Sequence, residues 1–223
     1  MITYEEALAR LGALKDEKYA AFHKKLIKND SLRLIGVRTP LLRAFAKEWK
    51  GEQDCFLSFP DEYYEITFLK CALVGALPYE KFIGYVDSVV ALLNNWAICD
   101  MFEAPCIKKH REEFLPFVYK YLQSGKEFTV RYALVTLLHY YTDREYLPLI
   151  FDGTERVGEE PYYVMMGSAW LIAEVLAKFY EEGLRFLKEN RLPKAVHNKA
   201  IRKACESFRI SDVQKAELKS LRR

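Results

Sequence analysis

Five prolines stand where helices can begin, and the segments behind them are apolar at helical spacing. Pro40 leads TPLLRAFAKEW, Pro60 leads PDEYYEITFLKCALVGAL, and Pro78 leads PYEKFIGYVDSVVALL. Pro161 and Pro193 lead PYYVMMGSAWLIAEVLAKF and PKAVHNKAIRKACESF. Proline suits a first helical turn, because its missing N–H would have no intrahelical partner there. Thr3 and Glu6 have the spacing of a capping box, and Asn95, Glu112, Lys126 and Asp143 are further predicted starts. Ile66, Leu69, Leu73 and Ala76 predict one buried stripe; Val130, Leu134, Leu137, Leu138 and Tyr141 predict another. Neither an alternating strand nor an Asn-Gly or Asp-Gly hairpin signal is found. The predicted connections are NDSLRLIGVR, SGKE, TDRE and the longer FDGTERVGEE.

Helices of roughly 10 to 18 residues, about a dozen of them, joined by short turns, fit antiparallel pairs stacked into an array. The predicted fold is therefore all-α, a curved α-α superhelix of helical repeats, with a compact bundle as the alternative. No shift in composition marks a boundary, so residues 1–223 are read as one domain.

With 51% hydrophobic and 29% charged residues, the 223-residue chain can bury a sizeable core and is not of the disordered class. No segment approaches the roughly 20 apolar residues of a membrane span. The start, MITYEEALARL, has neither a basic region nor an apolar signal core, so a cytoplasmic protein is expected. Cys55, Cys71, Cys99, Cys106 and Cys205 are odd in number and form no C-x-x-C pair, which predicts reduced and mostly buried thiols. His23 and His110, each beside lysines, read as surface residues. His23, His110, His139 and His197 share no ligand spacing with the cysteines, and no glycine-rich phosphate loop is present, so neither metal nor cofactor is expected.

Charge is unevenly spread. Residues 185–223 hold 12 lysines and arginines against 4 acids, +8 in a chain whose total is +3, which leaves −5 for the rest. Such a segment suits a polyanion, because each cation that meets a phosphate releases condensed counterions. A solvated helical face is the competing reading. Lys199, Arg202 and Lys203, at i, i+3 and i+4, fall on one face of a helix. With Arg38, Arg43 and Lys47 they are candidate phosphate contacts, and Lys24, Lys25 and Lys28 add a basic stretch near the start.

Four residues stand out by spacing. Trp96 and Asp100 are four apart, which puts them on one helical face. Arg131 lies 35 residues after Trp96, and Trp170 lies 39 after Arg131. Helical repeats run to roughly 33 to 47 residues, so equivalent positions of successive repeats can line one surface. A carboxylate, a guanidinium and two indoles there could make a site for DNA. Core packing of the two tryptophans, with Asp100 and Arg131 as a buried ion pair, is the plainer reading of the same residues.

The chain resembles the AlkD-like DNA alkylation-repair glycosylases, which are built of HEAT-like repeats. The resemblance is carried by IGVRTPLLRAFAK, NNWAICD, FTVRYALVTLL, YYVMMGSAWLIAEVLAKF and HNKAIRKACESFRIS, in that order. It implies a monomeric enzyme, free of metal, that hydrolyses the N-glycosidic bond of N3- and N7-alkylated purines in duplex DNA. It implies further that Asp100 is catalytic, that Arg131 clamps a phosphate or holds Asp100 ionised, and that Trp96 and Trp170 are platforms for the DNA backbone. Met165, Met166 and Ala173 depart from the polar and basic residues expected of active members. A non-enzymatic HEAT-like module that binds nucleic acid or protein through its concave face is the alternative, and a scaffold without a DNA role is the third.

Overall fold

The computed structural model of the chain describes residues 2–27, 29 and 31–223. Fourteen α-helices occur among these residues, and the all-α class read from the sequence holds. Their backbone contacts divide them into two compact units, residues 1–110 and 111–223. None of the described helices is long and apolar enough to cross a membrane.

The first unit contains α1 (Tyr4–Gly12), α2 (Glu17–Ile27), α3 (Thr39–Glu48), α4 (Gln53–Ser58), α5 (Tyr64–Gly75), α6 (Tyr79–Val90) and α7 (Trp96–Met101), then a 3-10 turn over Pro105–Lys109. The capping box at Thr3 and Glu6 opens α1 as read from the sequence. At the centre lies α5, packed on α3, α4, α6 and α7. It is buried on every side except at Ala72, so one stripe understates it, and Ala76 is exposed just beyond its end.

Two charges are buried in α5, and both organise chain outside it. The Glu65 carboxylate accepts the backbone N–H groups of Ile35, Gly36 and Val37 at 3.0, 2.7 and 3.2 Å. Without it three donors would be left unpaired, at about 1–3 kcal/mol for each that stays dry. Gly36 is required at this turn: its φ is +99°, and a Cβ there would sit 2.6 Å from the carbonyl oxygen of Asp16. The Lys70 ammonium donates to Phe59 O and to Asp61 at 2.6 and 2.7 Å.

These bonds explain one correction. The helix expected at Pro60 begins at Tyr64. Lys70 holds Phe59 and Asp61, and the Tyr64 N–H donates to Arg33 O beside an isolated parallel bridge between Arg33 and Tyr63. The intervening residues cannot also be helical.

The second unit contains α8 (Arg111–Leu122), α9 (Glu127–Tyr140), a 3-10 turn over Arg144–Tyr146, α10 (Leu147–Arg156), α11 (Tyr162–Lys178), α12 (Tyr180–Lys188), α13 (Lys194–Glu206) and α14 (Asp212–Ser220). Within it α11 lies between α9 and α13; α8 packs on α9, α10 and α12 on α11, and α14 on α13. The unit is thus a stack of helical pairs, the local arrangement of a helical repeat. Gly167 of α11 sits close under α9: a Cβ there would meet Leu134 at 3.2 Å and the Arg131 stem at 3.7 Å.

Two boundaries differ from the sequence reading. Asp143 precedes only the 3-10 turn, and α10 starts at Leu147 with a proline in its first turn. The expected connection FDGTERVGEE is helical through Arg156, because Ile150, Gly153 and Thr154 are buried and Thr154 bonds back to the Ile150 and Phe151 carbonyls. Helices run from 6 to 17 residues, a wider range than expected.

The histidine and cysteine readings also need correction. His23 is buried edge-on to Tyr64, and His110 stacks on Tyr79 at 4.3 Å. Burial pushes the His23 imidazole below its ordinary range. All five thiols are free, but only Cys71 and Cys99 are buried; Cys55, Cys106 and Cys205 are half-buried.

Candidate functional site

The segment NNWAICD folds as the start of α7. Asn95 caps it, with its side-chain oxygen accepting the Ile98 N–H at 3.0 Å. Ala97, Ile98 and Cys99 face the core, which leaves Trp96 and Asp100 half-buried on the other side, one turn apart. Cys99 is therefore a core thiol, as the plainer reading held. The Trp96 indole is fixed at one edge, where its Nε1–H donates to Leu26 O of α2 at 3.3 Å.

Arg131 and Trp170 lie in the second unit, on the adjacent helices α9 and α11. Arg131 is only 5% exposed. One of its Nη groups donates to Tyr163 O at 2.8 Å, and its guanidinium lies over the Tyr163 ring. Four residues earlier on α9, Glu127 accepts the Tyr163 N–H at 2.9 Å. The i, i+4 pair thus holds both backbone groups of one residue in the first turn of α11. Trp170 lies two turns further along, half-buried, with its ring edge-on to His139 at 6.3 Å. Met165 and Met166 are half-buried, and Ala173 is buried.

The candidate phosphate contacts sort by what already holds them. Arg38 is bound to Asp16 at 2.8 Å and lies over Tyr19. The Asp16 carboxyl is held below its usual range by the Tyr19 N–H first and by Arg38 second. Arg43 and Lys47 are exposed on α3 and form no ion pair among the described residues. They line one wall of a cleft of about 540 Å³ with Lys50, Phe68, Ala72 and Met101. Lys50 was missed in the sequence, although it continues the stripe at 43 and 47 by one more turn. On α13, Lys199 is half-buried, Arg202 is exposed and bound weakly to Glu206 at 3.5 Å, and Lys203 is half-buried. Lys24 and Lys25 are exposed on α2; Lys28 lies outside the described residues. Among the described residues no group of three or more His, Cys, Asp or Glu is placed to hold a metal ion.

Packed helical pairs, with exposed cations on α3 in the first unit and on α13 in the second and a tryptophan–aspartate pair on a short capped helix, define an all-helical protein of the repeat class. Residues 7–208 match the family described as DNA alkylation repair enzyme, and the chain belongs to that family. No match is found among curated proteins.

Proposed function

We propose that this protein is a DNA glycosylase that hydrolyses the N-glycosidic bond of N3- and N7-alkylated purines in duplex DNA. The observation that carries the reading is the Trp96–Asp100 pair, set one turn apart on the half-buried face of α7 in a chain of the alkylation-repair family. The proposal treats residues 1–223 as one HEAT-like domain, monomeric and cytoplasmic, that needs neither metal nor cofactor.

Cleavage of the bond to a cationic alkylpurine builds positive charge on the deoxyribose. A carboxylate at Asp100 stabilises that charge and orients the attacking water. The base leaves neutral, so no acid is required to protonate it. Trp96 and Trp170 offer flat apolar faces to deoxyribose and backbone. Arg131, buried and tied to Tyr163, is assigned first to anchoring α11 and second to a phosphate or carboxylate. Arg38, Arg43, Lys47, Lys199, Arg202 and Lys203 are assigned to phosphates, with Arg38 having to leave Asp16 to do so.

The test is base release from duplex DNA that carries N7-methylguanine or N3-methyladenine. Wild-type protein releases the base, and Asp100→Asn slows release by about 10²–10³-fold while its DNA affinity stays within about threefold, as expected when one electrostatic group at the developing charge is removed. Release at the wild-type rate by that variant removes Asp100 from the mechanism. Salt-sensitive DNA binding with no release by the wild type favours the non-enzymatic module.

A further inference from the structure

Residues 221–223 run from the end of α14 back onto the start of α13 and are held there at three places. Leu221 O accepts the Nε2–H of His197 at 2.9 Å. The Asn198 side chain takes both backbone groups of Arg223: its Nδ2 donates to Arg223 O at 2.6 Å, and its Oδ1 accepts the Arg223 N–H at 3.0 Å. The Arg223 guanidinium donates to the carbonyls of Asn190 and Leu192, in the turn before α13. Two adjacent side chains of α13 thus hold one strap. Of the two, only the imidazole can take up a proton near neutral pH.

The ring is placed for its neutral form. His197 is buried, and with the hydrogen on Nε2 its Nδ1 is enclosed without a hydrogen bond. A proton on Nδ1 would add a charge and an unpaired donor away from water, and both are costly. The carboxylates of the elements packed on α13 are engaged elsewhere. On α11, Glu174 is held by Arg209 and Lys178. On α14, Glu217 is held by Tyr180 and Lys188, Asp212 lies 4.0 Å from Lys215, and Lys219 is exposed. In the turn before α13, Arg191 holds Glu155 and Glu189. On α13 itself Glu206 faces Arg202, and Lys194, Lys199 and Lys203 are further cations. The charge that acts on the ring is the Arg223 guanidinium, which opposes a second cation.

We propose that His197 is a proton-operated latch: the neutral ring holds residues 221–223 on α13, and a proton on Nδ1 releases them while the rest of the second unit stays folded. The strap is the part that gives way, because it is three residues long and its movement lets water reach the ring. Helix α13 itself is held between α11 and α14. Release also separates the Arg223 guanidinium from the imidazolium, and it leaves the Asn190 and Leu192 carbonyls without their donor. The sign follows from the two states. With the strap down the imidazole titrates below its ordinary 6.5, and with the strap open it titrates near that value. Opening is therefore favoured as the pH falls below 6.5 and gains nothing above it. The latch is independent of the glycosylase reading.

Native-state hydrogen exchange tests it, read at the Arg223 N–H, which exchanges only when it leaves Asn198. Rates are divided by the intrinsic rate at each pH. In the wild type the protection of this N–H is expected to fall by up to about tenfold from pH 7.5 to pH 5.5, the effect of one proton. The amide of Leu134, in the core of α9, is expected to keep its protection over the same interval. His197→Gln retains an N–H donor for Leu221 O and takes up no proton, so its Arg223 protection is expected to be equal at both pH values. Equal protection at both pH values in the wild type overturns the latch. So does a fall of the same size in the glutamine variant, or a matching fall at Leu134, which would make the opening global. Should the variant fail to fold, nitrogen NMR of the wild-type imidazole decides. A hydrogen on Nε2 at pH 7.5, with protonation in step with the loss of Arg223 protection, upholds the latch. A hydrogen on Nδ1 at pH 7.5, or protonation with the Arg223 N–H still protected, overturns it.

Discussion

Arg131 shows how a residue's surroundings redirect its expected role. A guanidinium has a planar fork suited to phosphate, but this one is buried and already donates to Tyr163 O. Its i−4 neighbour Glu127 takes the N–H of the same residue, so the pair grips the first turn of α11, the helix that carries Trp170. Removing the side chain takes away the charged bond to Tyr163 O and leaves a gap beside Gly167. Arg131→Ala is therefore expected to cost about 1.5–3 kcal/mol, the range for a hydrogen bond to a charged group. Arg131→Lys keeps the charge and loses the fork, and is expected to recover only part of that. Chemical denaturation checks both. A stable Arg131→Ala protein with weakened DNA binding would return the residue to the role of phosphate clamp.

At the scale of helices, the sequence was legible where local chemistry and packing agree. Asn95 and Lys126 do precede α7 and α9, Pro78, Pro161 and Pro193 stand immediately before α6, α11 and α13, and the stripe from Val130 to Tyr141 is buried throughout. It was less legible where distant residues decide. Pro60 has the right local signal, but Lys70 and Arg33 hold the residues after it extended. Gly153 and Thr154 read as a loop, yet Gly153 is buried beside Leu122 and Leu137, and the Thr154 hydroxyl bonds within its own helix. In the candidate site, the Trp96–Asp100 face follows from i, i+4 spacing, whereas the Glu127–Arg131 grip on Tyr163 needs a partner more than 30 residues away. The stripe on α3 makes a prediction of its own. Lys47 and Lys50 are exposed and form no ion pair among the described residues, so Lys47→Ala/Lys50→Ala is expected to leave the melting temperature unchanged. Its DNA affinity is expected to fall, with the salt slope reduced by about 0.9 per contact. An unaltered slope in an anisotropy titration would take α3 out of the DNA-facing surface.

For the whole molecule, the buried imidazoles set a pH limit that the surface charges do not. Each unit holds one: His23 in the first, 8% exposed, and His197 in the second, 1% exposed. Burial lowers the pKa of both from the ordinary 6.5, and the Arg223 charge adds to the effect at His197, against the hydrogen bond to Leu221 O. That bond uses Nε2–H, so Nδ1 is buried without a hydrogen bond, and protonation would place an unpaired donor there. Between 6.5 and the lower folded values the unfolded chain binds more protons than the folded one. Stability from this source is complete above 6.5 and falls as the pH drops below it, at up to about 1.4 kcal/mol per pH unit for each histidine. The carboxylates held below their ordinary range, Asp16, Glu17, Glu52, Glu174 and Glu217, start from 3.8 or 4.5 and lose their contribution only at lower pH. Thermal melts at about pH 7.5, 6.5 and 5.5 are expected to show a falling midpoint over the last interval. The double variant His23→Phe/His197→Gln, which keeps an aromatic ring at one site and an N–H donor at the other, is expected to flatten it. A midpoint that falls equally in wild type and variant would assign the acid sensitivity to other groups.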